Sequence, residues 1–201
     1  SSNSTLYHFI ESECNGYNIE EFDDTRKLII IYGIALGMKY LHENDVICGY
    51  LKPQSILINN YLFPKIIVPF NFIYHYDFDL DNEKVQIDYN QMELYSDPAI
   101  DNFKFTKASD VFSFALIIYE ILMNKKITFD DANSESDIVS ELLDGNRPEF
   151  DDHVPVVFQD LISRCWKENG NERPTFDEIV EELENNPKFF PDSINKTIFD
   201  S

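Results

Sequence analysis

The run VFSFALIIYEILM, Val111 to Met123, constrains this chain more than any other segment. A bilayer crossing takes ~20 consecutive apolar residues, and this run is shorter, bracketed by Asp110 and interrupted by Glu120. It predicts instead a helix over residues 108–123 that is buried in a protein core. Covering such a helix takes several further elements. The 201 residues, 43% of them hydrophobic and including 17 Phe and 11 Tyr, are enough for one ordinary domain built around it.

The elements that would do the covering can be read on both sides of the run. Residues 1–24 are polar and irregular, with a short amphipathic piece around Leu6–Ile10. Thr25 is a candidate cap for a helix running through RKLIIIYGIALGMKYLH to His42, apolar all round and so expected to be buried on most sides. Two β-like runs, Ser55–Asn59 and Lys65–Pro69, flank the turn-prone Asn59-Asn60 pair and suggest a small hairpin. Phe70 to Phe105 is loop-like, aromatic and acidic, and a loop of that length in a compact domain is usually functional or mobile. Further helices are expected at 136–143, 156–166 and 176–183. The last opens with the Thr175/Glu178 spacing of a capping box, directly after Pro174. Beyond Pro187 the tail is expected to be loosely held. The pattern is mainly α with one small β element.

Charge narrows the partners. Thirty-seven acidic against 16 basic residues give a formal net charge of −21, which phosphate backbones and anionic membranes repel. Nucleic acid and membrane are therefore excluded as expected partners, while basic peptides or proteins remain compatible. The plainer use of the acids is solubility. Cys14, Cys48 and Cys165 form neither a pairing pattern nor a metal-type spacing, so free or buried thiols in a reducing compartment are expected. The opening SSNSTLYHFI has neither a basic start nor an apolar run, so no signal peptide is read and a cytoplasmic location is the default. With no initiator Met at its start, the sequence is expected to be a truncated one.

Five motifs in order carry a resemblance. YLHENDVICGYLKPQSILIN, Tyr40 to Asn59, resembles the catalytic loop of protein kinases, with Leu51, Lys52, Pro53, Ile56 and Leu57 in pattern. The family's His-Arg-Asp stands here as Cys48-Gly49-Tyr50, and its Asn as Ser55. The metal motif Asp-Phe-Gly aligns with Val68-Pro69-Phe70, and Ala-Pro-Glu with Asp97-Pro98-Ala99. SDVFSFALIIYEIL, Ser109 to Leu122, is similar to the family's central helix, and RCWKENGNERPTFDEIVEEL, Arg164 to Leu183, to its last helices. The Cys-Trp pair and the Ser-Phe helix lean toward tyrosine-kinase-like members. The resemblance implies a helical kinase C-lobe over residues 1–187 with residues 188–201 as a tail. The family's Gly-rich loop, strand lysine and pairing glutamate, all of the N-terminal lobe, are absent from the sequence.

The substitutions bear directly on the chemistry that the resemblance implies. Phosphoryl transfer in the family needs a loop Asp to handle the hydroxyl proton, and an Asn and a second Asp to hold magnesium. Tyr50, a phenol with a reference pKa of about 10, is neutral at pH 7 and bulky. Ser55 is a weaker magnesium ligand, although a hydroxyl can coordinate. Val68 offers no oxygen to a hard cation. Pro69 stiffens a segment that normally pivots, and Phe70 removes a Gly. Gly49 removes the arginine that receives a phosphorylated activation loop, so Tyr74, Tyr76, Tyr89 and Tyr95 are expected to pack rather than to switch. Lys52 alone survives of the catalytic set. No cofactor is expected, and no metal; ATP and Mg enter only if the chain is a piece of a working kinase.

The retained positions are architectural. Asp110 matches the family Asp that accepts hydrogen bonds from the catalytic-loop backbone. Arg173 matches the Arg that pairs with the Glu of Ala-Pro-Glu; that Glu is Ala99 here, which leaves Asp97 or Asp101 as its partner. Trp166 is expected in the core. Three readings follow: a non-catalytic pseudokinase lobe that binds a protein partner, a fragment of a kinase with residual ATP binding, and a remnant without a role.

Overall fold

In a computed structural model, residues 4–16, 22–49, 51–59, 63–68, 94–98 and 105–190 are described. Pro69, Phe70 and most of the expected long loop lie outside them, as do Tyr50, Tyr74, Tyr76, Tyr89, Ala99 and Asp101. The order is β1 (Ser4–Thr5), α1 (Leu6–Cys14), α2 (Asp24–Glu43), β2 (Ile56–Ile58), β3 (Pro64–Ile66), α3 (Lys107–Met123), α4 (Glu135–Leu143), α5 (Val156–Cys165) and α6 (Phe176–Asn185). This is a mainly helical α+β lobe with one small sheet.

Helix α3 runs through the middle, and every residue from Ser109 to Ile121 is buried. Thr106 caps it: its hydroxyl accepts from Ser109 N at 3.1 Å, while Ser109 Oγ accepts from Thr106 N at 2.7 Å. Asn124 ends it in the left-handed region. α5 packs on α3, while α2 lies against α3, α6 and β3. The closeness of α2 to β3 depends on Gly33: a Cβ there would stand 2.6 Å from Pro64 Cγ, inside any van der Waals contact.

The N-terminal stretch is more ordered than its composition suggests. Leu6 and Ile10 are buried on a full helix, and Ser4–Thr5 adds a strand to the expected hairpin. The sheet order is β1-β2-β3, antiparallel throughout, with Thr5 opposite Leu57 and Leu57 opposite Lys65. Asp23, not Thr25, caps α2, accepting from Arg26 N at 2.9 Å. A carboxylate at that place also faces the positive end of the helix dipole.

The tail expectation fails for its first residues. Phe189 sits in a short 3-10 turn, is fully buried, and meets Phe158 edge to face with ring centroids 4.8 Å apart. Residues 191–201 are outside the described part. Phe189→Ala should lower the unfolding free energy by ~3–5 kcal/mol in urea denaturation. An unchanged midpoint would mean that residues 187–190 are loosely attached after all.

Candidate functional site

The site is the loop between α2 and β2 and what holds it. Val46 N donates to Leu41 O at 2.9 Å, which turns the chain back off the end of α2. Asp110, at the start of α3 and 1% exposed, then fixes the loop: its Oδ2 accepts from Cys48 N at 2.8 Å and its Oδ1 from Gly49 N at 2.8 Å. His42 Nε2 lies 2.9 Å from the same Oδ2, so one carboxylate joins α2, α3 and the loop. Lys107 adds a further tie, donating from Nζ to His42 O at 2.6 Å and to Asp45 Oδ1 at 2.9 Å.

Gly49 has φ +63°, and a Cβ there would come within 3.1 Å of Phe105 Cγ. A larger residue would be strained in backbone and crowded by that ring. Sequence reasoning saw only the lost arginine; the reason a glycine fits is the aromatic ring laid over it. Cys48 is fully buried. Tyr50 lies outside the described residues.

The remaining positions do not fit a magnesium site. The Ser55 hydroxyl is turned into its own turn, donating to Lys52 O at 2.8 Å and accepting from Lys52 N at 3.1 Å. A hydroxyl held in that way closes a 3-10 turn and is not turned outward as a ligand. Val68 is half-buried against the core and has no donor atom. Among the described residues, no group of three or more His, Cys, Asp or Glu side chains comes together as a cation site.

Lys52 lines a cavity of about 320 Å³ shared with Tyr7, Leu94, Tyr95, Glu120 and Lys126. Glu120 is 1% exposed. Its Oε2 accepts from the Tyr95 hydroxyl at 2.6 Å and its Oε1 from Ile127 N at 3.0 Å. Burial pushes this carboxyl up to about 7, against the pull of Tyr95, Ile127 and Lys126. In the sequence Glu120 appeared only as an interruption in an apolar run. An acid buried where every neighbour in sequence is apolar is the signal that marks it.

Arg173 pairs with Asp97. Its Nη2 donates to Asp97 Oδ1 at 2.9 Å and its Nη1 to Asp97 Oδ2. Its Nε donates to Lys167 O at 2.7 Å and its Nη1 also to Ala108 O at 2.9 Å, so the buried guanidinium is bonded on every side. Arg147 and Arg173 both lie over the Phe112 ring, 5.2 and 5.1 Å from its centroid. Trp166 is buried and stacks on Phe150 at 5.5 Å.

The family described as protein tyrosine and serine/threonine kinase matches residues 2–183. Over 188 residues the chain is 28% identical to the RGS domain-containing serine/threonine-protein kinase A of Dictyostelium discoideum, covering 90% of this chain and 15% of that protein. It is 33% identical over 172 residues to the human receptor-interacting serine/threonine-protein kinase 1, covering 77% of this chain and 25% of that one. A protein of Dictyostelium discoideum described as a probable inactive serine/threonine-protein kinase is 31% identical over 144 residues, covering 72% of this chain and 7% of its own length. The chain thus spans a quarter or less of each of these relatives.

Asp97→Ala leaves the Arg173 guanidinium buried without its carboxylate and should cost ~3–5 kcal/mol in urea denaturation. Combining Asp97→Leu with Arg173→Met removes both charges, and most of that loss should return. Equal losses in the single and double variants would show that the intact pair itself supplies that stability, and not that an unpaired buried charge causes the loss.

Proposed function

The chain belongs to the protein tyrosine and serine/threonine kinase family, and from that premise we propose that it is a pseudokinase lobe, used for its surface and not for phosphotransfer. One contrast carries this reading. The backbone of the loop is held at Asp110, at 2.8 Å from both Cys48 N and Gly49 N, while the side chains at the chemical positions are unsuited to the reaction. Tyr50 stands where the proton-handling Asp belongs, Ser55 spends its hydroxyl on Lys52, and Val68 offers a cation nothing.

Phosphoryl transfer is positioning plus charge neutralisation, so losing the metal ligands and the proton acceptor together removes both halves of it. Lys52 remains, but a single ammonium on a flexible stem replaces neither a cation pair nor a base. The description of one relative as a probable inactive kinase is consistent with this reading. On this proposal the lobe works in the cytoplasm without ATP or magnesium, with a protein partner. The net charge of −21 favours a basic partner surface and disfavours nucleic acid or anionic lipid.

Thermal unfolding of the purified chain with and without Mg-ATP tests the reading, because a ligand of the native state raises the midpoint. The expected result is a cooperative transition that nucleotide leaves in place. Saturation at a hundred times Kd would add about 2.7 kcal/mol, which for a chain of this size is a rise of roughly 5–10 °C. A magnesium-dependent rise of that order would overturn the proposal and favour the kinase-fragment reading.

A further inference from the structure

Asparagine is followed directly by glycine at Asn15-Gly16 and again at Asn169-Gly170. Such a pair carries its own chemistry. Glycine has no Cβ to crowd its backbone nitrogen, so that nitrogen can attack the side-chain Cγ of the asparagine before it. Both asparagines are exposed. Water therefore reaches each of them, and what separates the two is how the surrounding chain is bonded.

Asn15 and Gly16 stand just past the end of α1. Asn15 N donates to Glu11 O at 3.1 Å and Gly16 N to Glu13 O at 2.9 Å. The Asn15 side chain makes one bond, from Nδ2 to Glu11 O at 2.9 Å. All of these acceptors belong to the last turn of the same helix. Gly16 has φ +75°, and nothing lies within 4 Å of where a Cβ would be. A helix end held only by its own last turn frays easily, and fraying releases the Gly16 nitrogen and the Asn15 amide together.

The second pair is fixed from several directions. Asn169 Oδ1 accepts from Asn171 N at 3.1 Å, and its Nδ2 donates to Glu172 Oε1 at 3.2 Å. Its carbonyl accepts from Glu172 N at 3.0 Å, and that of Gly170 from Arg173 N at 3.2 Å. The start of α3 lies against Gly170, since a Cβ there would come within 3.3 Å of Ala108 Cβ. Arg173 also donates to Lys167 O and Glu168 O, the two carbonyls before the pair, while Asp97 holds its guanidinium. Freeing Asn169 therefore means loosening a buried ion pair as well as a turn.

We propose that Asn15 is a site of spontaneous hydrolytic deamidation that ends α1 early, and that the fold shields the same dipeptide at Asn169.

The step needs water and nothing else. The Gly16 nitrogen gives up its proton and bonds to Asn15 Cγ; the bond from Cγ to Nδ2 breaks, and the nitrogen leaves as ammonia, taking up that proton. A cyclic imide remains. Water then adds to either imide carbonyl and the ring carbon–nitrogen bond opens, which gives aspartate or its β-linked isomer. Nothing is oxidised or reduced. Either product puts a new carboxylate at the C-terminal end of α1, where the helix dipole is already negative. The β-linked form also inserts a methylene into the backbone and moves the Gly16 nitrogen off Glu13 O.

The test is peptide-resolved mass spectrometry of the full chain at neutral pH, native and unfolded in urea. Both samples are followed until the unfolded chain has converted half of each asparagine. In urea the two pairs should convert alike, because the dipeptide is the same. In the native chain Asn15 should convert, and Asn169 should do so at least about tenfold more slowly. Equal native rates, a faster Asn169 or an inert native Asn15 would overturn the proposal. So would the same ratio in urea, since the fold would then not be its cause. The converted chain, separated by its added charge, should show faster amide exchange at Ser12, Glu13 and Cys14, with exchange in α3 unchanged. Unaltered exchange at those three amides would overturn the claim that the modification shortens α1.

Discussion

The structure depends on one carboxylate placed where water cannot reach it. Asp110 has three hydrogen-bonding neighbours, two of them backbone amides of the loop and the third the imidazole of His42. None of these contacts could be replaced by an apolar side chain of the same size, since each amide would be left buried and unpaired, at ~1–3 kcal/mol apiece. The central helix supplies an apolar body around which α2, α5 and α6 close, and Asp110 at its first turn fixes where the loop must pass. The position of the candidate site is thus decided by the helix that holds the core, not by the residues of the site itself.

That arrangement explains how scaffold and chemistry can part company. The ties that keep the loop in place run through backbone N–H groups, which any residue but proline can offer. The path of the loop is therefore set by these backbone bonds, and not by the side chains that the chemistry would need. The Arg173 pair has moved in a comparable way. Its guanidinium still finds a bidentate carboxylate, but that carboxylate comes from Asp97 while position 99 is Ala. A buried guanidinium tolerates a change of partner provided some acid of the right reach is present.

Much of the fold was legible because it rests on patterns local in sequence. The apolar run of α3, the capping box at Thr175 and the two β-like runs around Asn59 all carry their reasons within a few residues. What could not be read depends on distant pairing. Ser4 and Thr5 are a strand only because Ile58 and Leu57 lie opposite. Phe189 is core only because Phe158 lies beneath it. Asp97 and Asp101 stand equally far from Ala99 along the chain, and only the bonds from Arg173 to Asp97 in the folded chain make Asp97 its partner. Glu120 was visible as a break in an apolar pattern, but the tyrosine that completes it lies 25 residues earlier in a stretch with no period.

Gly49 has a further consequence for what the loop can accept. Its backbone occupies a conformation that costs other L-residues ~1–2 kcal/mol, and the Phe105 ring has settled to within 3.1 Å of where any Cβ would be. Restoring an arginine at this position would have to displace the ring and turn the backbone in the same step. The packing in that sense works as a ratchet: any side chain placed at position 49 requires Phe105 to move with it.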